Sequence, residues 1–205
     1  MIEFFYLIST VCFIIGIKKL SHPKTARTGN GIASLGMLIA IITVLLSGSV
    51  INLNQVIIGV LIGAIIGGFA ATKVQMTQMP QLVAIFNGFG GAASALIATK
   101  EFFAPTASNP GIPPEFTLST IMFSVIVGTL TFTGSFIAFG KLQGLVSSKP
   151  ITYPGQQALN ALIAFGLYGL SLFIVYNFGP ELNNYFYLII IMSALIGITL
   201  TIPIG

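Results

Sequence analysis

Six small or hydroxyl-bearing residues recur along one predicted helix at steps that keep them on a single face. They are Thr117, Thr120, Ser124, Gly128, Thr131 and Ser135. Steps of three and four residues match an α-helix with 3.6 residues per turn. At 1.5 Å per residue the stripe covers roughly 27 Å, close to the hydrocarbon thickness of a bilayer. Such a stripe can line a path for water and protons, but hydroxyls that bond back to their own helix give the same pattern.

An asparagine, Asn87, lies near the middle of the preceding predicted helix, on the same face as Ser94. A buried amide is costly in lipid unless it is hydrogen bonded, so Asn87 must meet a neighbouring helix or water. It can serve as glue between helices or as a polar station on a proton path, and we predict the second. The predicted path residues are Asn87, Ser94, Ser124, Thr131 and Ser135.

Ionisable side chains are absent from the interior of the predicted helices. The eight Lys and Arg and the four Glu fall in connectors or at helix ends, and the one histidine, His22, lies in the first connector. Proton relays usually contain a buried Asp, Glu or His. If this chain moves protons, we expect a partner to supply the titrating group. The sequence offers no predicted metal site, and a lone Cys12 excludes a disulfide within the chain.

The helices that carry these residues follow from composition. With 55% hydrophobic and 6% charged residues and a mean hydropathy of +1.01, the chain is predicted to be an integral membrane protein. Continuous apolar runs without period-2 alternation favour helices over barrel strands. We therefore predict an all-α polytopic bundle occupying residues 1–205. The predicted spans are 2–20, 31–50, 55–72, 80–99, 116–140, 157–178 and 183–204.

The distribution of cations predicts an orientation. Seven of the eight Lys and Arg follow the first, third and fifth spans, and Lys100 alone falls on the other side. The positive-inside rule makes the cation-rich side cytoplasmic, with the N-terminus outside and Gly205 inside. So few cations, spread over three loops, argue against nucleic-acid binding.

Glycines recur every four residues in the third span, at Gly59, Gly63 and Gly67. This small-xxx-small pattern lets two helix backbones approach closely. We interpret it as a packing signal, either within one subunit or between subunits.

Several separated segments resemble the membrane domain of the β subunit of proton-translocating NAD(P) transhydrogenases. The similarity runs through essentially the whole chain, in the same order. The segments are SHPKTARTGNGIASLGM (21–37), KVQMTQMPQLVAIFNGFGG (73–91), LTFTGSFIAFGKLQG (130–144), SSKP (147–150) and PGQQALNAL (154–162).

The resemblance implies a subunit that couples proton passage to hydride transfer between NADH and NADP⁺. In that family NADP(H) binds a soluble domain of the same β subunit, and NAD(H) binds the α subunit. This chain lacks a G-x-G-x-x-G motif after a strand, so we expect it to bind neither cofactor and to be inactive alone. The implied partners are the α subunit, the β NADP(H) domain and the lipid bilayer. The family also suggests a homodimer of αβ protomers in the bacterial inner membrane.

Related β subunits continue beyond a segment like TIPIG (201–205) into a Gly-Asp-Met-Pro sequence and two further helices. We therefore expect a truncated form, with seven of about nine β membrane helices. Coupling to the nucleotide domains is expected through the basic loops at 18–30, 73–79 and 141–157. Arg27, Lys141 and Lys149 are the predicted contacts, although positive-inside topology alone also explains such residues.

Two departures from the family pattern bear on mechanism. Asn87 stands where many relatives carry a histidine, and Gln75, Gln78 and Gln81 replace glutamates found in others. Asparagine can orient water but cannot titrate near neutral pH. The resemblance to a subgroup implies that a histidine on an α-subunit helix takes that role.

Besides a transhydrogenase subunit, the sequence leaves two other classes of protein open. A secondary transporter or channel fragment without redox coupling would explain the glycines and polar stripes, but it predicts a midplane site with broken helices or a buried charge. A structural assembly subunit is the third possibility.

Overall fold

The computed structural model describes residues 2–47, 52–103, 114–177 and 179–204. These residues form seven α-helices and two short 3₁₀ turns, at Met76–Gln78 and Pro180–Leu182. The helices are α1 Ile2–Leu20, α2 Ala26–Leu46, α3 Leu53–Lys73, α4 Met79–Phe103, α5 Pro114–Leu142, α6 Gln156–Tyr176 and α7 Asn183–Thr201. The predicted all-α fold and the number of helices are confirmed for this part of the chain.

Within the described ranges, the six helices from α2 to α7 are long and apolar enough to cross a membrane. α1 carries Glu3 near its start and Lys18 and Lys19 near its end. Its uncharged stretch, Phe4–Ile17, covers roughly 21 Å at the rise of an α-helix, which is short of a bilayer core. That α1 crosses the membrane therefore stays a prediction.

The start of α2 differs from the sequence prediction by one and a half turns. The helix begins at Ala26 and includes residues 29–31, although the sequence Gly-Asn-Gly is typical of a turn. Gly29 has a packing reason to be there: a Cβ on it would lie 2.8 Å from the carbonyl oxygen of Gly16. The missing side chain lets α1 and α2 touch through their backbones.

The chain divides into two compact units, Met1–Thr72 and Lys73–Gly205. In the first unit α1 and α2 form a close pair. Ser9 Oγ donates to the Gly36 carbonyl oxygen at 2.7 Å, and a Cβ on Gly36 would lie 2.9 Å from Cys12 Cβ. By contrast α3 has no buried residue, and Cβ atoms built on Gly59, Gly63 and Gly67 would meet nothing within 4 Å. The predicted packing role of the α3 glycines has no partner among the described residues.

In the second unit α5 is central, with α4 and α7 packed against it and α6 against α7. The core of the second unit is mainly apolar, and the side chains of Val125, Ile174, Phe186 and Ile189 are fully buried in it. The rings of Phe102 and Phe186 stack with centroids 4.0 Å apart, which joins the end of α4 to the start of α7. This packing fixes the α4–α5 seam, along which most of the predicted polar residues lie.

Candidate functional site

Asn87 and Ser135 meet across the seam between α4 and α5. Asn87 Nδ2 donates a hydrogen bond to Ser135 Oγ at 2.8 Å. Ser135 is buried, with 8% of its surface exposed, whereas Asn87 is an exposed residue of this chain. An amide has a second N–H and an acceptor oxygen, so Asn87 can bind Ser135 and water at the same time.

One turn from Asn87, α4 and α5 touch through two glycines. A Cβ on Gly91 would lie 2.6 Å from the Gly128 carbonyl oxygen and 2.8 Å from Thr131 Cβ. A Cβ on Gly128 would lie 2.6 Å from the Gly91 carbonyl oxygen. Real Cβ atoms do not approach other atoms this closely, so no side chain and no water fits between the helices here. This glycine crossing divides the predicted path.

On one side of the crossing lies a cavity of about 320 Å³, which we call the Glu101 cavity. Its lining residues are Ser94, Ile97, Ala98, Glu101, Thr117, Thr120, Ile121 and Ser124. It brings together two predicted path residues, Ser94 and Ser124, with the start of the hydroxyl stripe. Thr120 Oγ1 donates to the Phe116 carbonyl oxygen at 2.9 Å, so at this position the hydroxyl does bond back to its own helix.

On the other side lies a cavity of about 250 Å³, which we call the glutamine cavity. Its lining residues are Val74, Gln78, Gln81, Leu82, Ile85, Phe139 and Gln143. Gln81 Nε2 donates to the Leu142 carbonyl oxygen at 3.2 Å. The Gln81 amide oxygen is buried and has no hydrogen-bond partner within the described residues. A buried acceptor of that kind is normally satisfied by water or by another chain.

The predicted path residues therefore fall into two groups. Ser94 and Ser124 line the Glu101 cavity, while Asn87, Thr131 and Ser135 lie at or beyond the glycine crossing. Along this seam the hydroxyl stripe is not a continuous groove, because the two backbones close it at Gly91 and Gly128. Among the described residues of the second unit, none covers the exposed side of Asn87.

The three predicted coupling cations lie in different surroundings. Arg27 and Lys149 are exposed, as expected for contacts to other domains. Lys141 is 9% exposed, and its Nζ donates to the carbonyl oxygens of Ile202 and Ile204 at the end of α7, each at 2.5 Å. An ammonium group at a helix C-terminus satisfies carbonyls that lack partners within the helix. Lys141 is engaged inside the second unit.

Sequence reasoning missed three polar residues. Gln156 is buried and its Nε2 donates to the Thr199 carbonyl oxygen at 2.9 Å, and the amide oxygen of Asn160 is buried without a partner among the described residues. Both belong to the PGQQALNAL segment, where amides at the start of an apolar helix were the available signal. The predicted span 80–99 leaves Glu101 outside the helix, whereas α4 continues to Phe103 and Glu101 extends the face of Asn87, Ser94 and Ala98 by one more step of three.

These features define a class: a membrane protein, all-helical in its described residues, with a polar seam between α4 and the central helix α5. Comparison with known proteins is more specific. The family described as NAD(P) transhydrogenase beta subunit matches residues 2–205. NAD(P) transhydrogenase subunit beta of Rhodospirillum rubrum is 41% identical over 203 residues, and a second sequence from a named strain of that species matches equally. The chain belongs to the NAD(P) transhydrogenase beta subunit family.

The match covers 98% of this chain but 43% of the Rhodospirillum rubrum protein. The chain thus spans less than half the length of the curated relatives it matches. Family membership confirms the resemblance found in the separated sequence segments.

Proposed function

We propose that this chain forms part of the proton-conducting membrane domain of a NAD(P) transhydrogenase. Its relatives are named as β subunits of that enzyme. The observation that carries the proposal is the Asn87–Ser135 hydrogen bond, which joins two membrane-length helices between a cavity rich in hydroxyls and a cavity rich in amides.

Asn87 acts here by orientation and not by titration. Its amide fixes the Ser135 hydroxyl, and its remaining hydrogen-bonding capacity holds water on the exposed face. Because an amide does not carry a proton near neutral pH, the titrating group opposite Asn87 comes from a partner, and a histidine on an α-subunit helix fits that need. Because the seam is closed at the glycine crossing, a continuous path also needs a wall from outside the second unit.

The remaining parts of the enzyme follow the same proposal. NAD(H) and NADP(H) bind in soluble domains outside residues 1–205, and this chain alone does not transfer hydride. The protein lies in the bacterial inner membrane with its cation-rich loops in the cytoplasm, and two αβ protomers pair. Exposed Arg27 and Lys149 contact the nucleotide domains, whereas Lys141 acts indirectly by holding the end of α7.

The test is Asn87→Leu in a full-length β chain assembled with its α subunit in membrane vesicles. Leucine keeps about the same volume but removes the amide, so we expect proton uptake and coupled hydride transfer to fall at least tenfold while assembly is retained. Thr99→Val is the matched control, because among the described residues Thr99 Oγ1 donates to the Ala95 carbonyl oxygen of its own helix and to no other group.

Asn87→His adds a second readout. It should restore part of the coupled rate in an enzyme whose proposed α-subunit histidine has been removed. Wild-type proton uptake in Asn87→Leu would mean that Asn87 is only glue between helices, and the proposed path would be wrong.

A further inference from the structure

Glu101 is the carboxyl group of the cavity between the end of α4 and the start of α5. Its side chain is half-buried, and Thr117 lies on the facing helix. Ser94 and Ser124 lie deeper, seven residues from Glu101 and Thr117 respectively, which is about 10 Å along each helix. The cavity therefore runs from a carboxylate at the helix ends to a pair of hydroxyls within the span.

Most of this lining is apolar, and its polar groups are the Glu101 carboxylate and the hydroxyls of four Ser and Thr residues. At about 320 Å³ the cavity has room for several water molecules, and the hydroxyls with the carboxylate supply the polar partners that such waters need. Glu101 lies two residues before the end of α4, where a carboxylate can meet both the solution and the cavity. The glycine crossing closes the α4–α5 seam one turn beyond Ser94, whereas the side of the cavity is open, since Ser94, Thr117 and Thr120 are exposed.

We propose that the Glu101 cavity is a water-filled vestibule in which Glu101 exchanges protons with the solution at that end of the bundle. The Glu101 carboxylate takes a proton from hydronium in that solution and releases it to water held by Ser94 and Ser124. No electron moves and no covalent bond other than O–H changes. The inference rests on the proposed proton-conducting function and assigns to this chain a titrating group that Asn87 cannot supply.

The test must distinguish the titration of Glu101 from that of the other ionisable groups at this end of the second unit. They are Lys100 on α4, Glu115 on α5, Tyr176 on α6, Glu181 beside α7, and Tyr185 and Tyr187 on α7. None of these six lines the Glu101 cavity. Glu115 is the matched control, since it is a carboxylate on the facing helix outside the cavity.

Glu101→Gln in the complete enzyme should lower proton-coupled hydride transfer at least tenfold. Hydride exchange between bound nucleotides without proton movement should stay within about twofold. The coupled rate, measured against the pH on the Glu101 side of sealed vesicles, should lose one titration step in Glu101→Gln and keep it in Glu101→Asp and Glu115→Gln. An unchanged pH profile in Glu101→Gln overturns the proposal.

Cysteine labelling tests the water content of the cavity independently of activity. In a Cys12→Ala background, Ser94→Cys should react with a membrane-impermeant methanethiosulfonate added on the Glu101 side, as Glu115→Cys should. Leu96→Cys, which lies outside the cavity on an apolar exposed face, should not react. If Ser94→Cys does not react while Glu115→Cys does, the cavity holds no accessible water and the vestibule is excluded.

The two proposals fail separately. Loss of proton uptake in Asn87→Leu with normal behaviour in Glu101→Gln leaves the function intact and removes the vestibule. Normal proton uptake in Asn87→Leu removes the proposed path whatever Glu101 does.

Discussion

At the scale of single residues, Lys141 illustrates how a basic loop residue can have a structural role. Positive-inside topology accounts for its side of the membrane, yet its ammonium group is buried against two carbonyl oxygens at the end of α7. The sequence could not predict this, because it depends on where α7 ends relative to α5. Asn87 is the opposite case: its face on the helix indicated a neighbour on α5, and the observed partner, Ser135, belongs to the predicted set.

Replacing Lys141 tests its structural role. Lys141→Met keeps most of the aliphatic stem but removes the donor to the carbonyl oxygens of Ile202 and Ile204, which directly follow α7. Within the described residues, the Ile202 oxygen keeps only the bond from Ile151 N–H, at 3.4 Å. We expect the free energy of unfolding to fall by about 1–3 kcal/mol, the usual cost of an unsatisfied buried group. Unfolding in mixed micelles measures it, with Lys149→Met as the exposed control, expected within about 0.5 kcal/mol of wild type. Equal stabilities for the two variants would show that the hydrogen bonds from Lys141 to Ile202 and Ile204 do not stabilise the fold.

At the scale of helices, the length of the continuous apolar runs predicted which segments are helical, but the glycine repeat did not predict which glycines make contacts. The regular repeat on α3 attracted the packing interpretation, whereas the close approaches occur at irregular positions. Gly16 meets Gly29, Gly91 meets Gly128, and Gly134 lies beside Gly197. Each contact depends on the crossing point of two helices, and a crossing point is a tertiary property that one helix's repeat does not contain.

The glycine crossing can be tested with a neighbouring control. Gly91→Ala places a Cβ 2.6 Å from the Gly128 carbonyl oxygen, so α4 and α5 must separate. We expect a loss of about 1–3 kcal/mol of stability, as for other overpacked interiors, together with a weakened Asn87–Ser135 contact. Gly90→Ala meets nothing within 4 Å and should be neutral or stabilising by up to about 1 kcal/mol through helix propensity. A well-folded Gly91→Ala as stable as Gly90→Ala would show that the crossing is looser than described.

At the scale of the whole molecule, many large apolar side chains are exposed, and the predicted path residues lie along the seam between α4 and α5. No residue of α3 is buried, and large apolar side chains such as Phe69 and Ile65 are exposed. In a membrane these surfaces meet lipid or further helices. The Rhodospirillum rubrum relative is more than twice as long as its matched part.

Orientation is the whole-molecule prediction. Lys149 follows α5, and Glu181 lies between α6 and α7, so α6 separates them. In a Cys12→Ala background, Lys149→Cys and Lys24→Cys should label from the cytoplasmic side, and Glu181→Cys from the opposite side. Asn109, a further expected outer position, lies outside the described residues. Labelling of positions 149 and 181 from one side would mean that α6 does not cross the membrane.

The glycine crossing also limits which second substitutions could compensate for a larger residue at position 91. In most helix contacts a larger side chain on one helix can be offset by a smaller one on the other. Here each glycine faces the carbonyl oxygen of its counterpart, and that atom is common to all amino acids. A genetic selection for revertants of Gly91→Ala should therefore recover the original codon or changes that re-aim a helix, and never a compensating exchange at position 128.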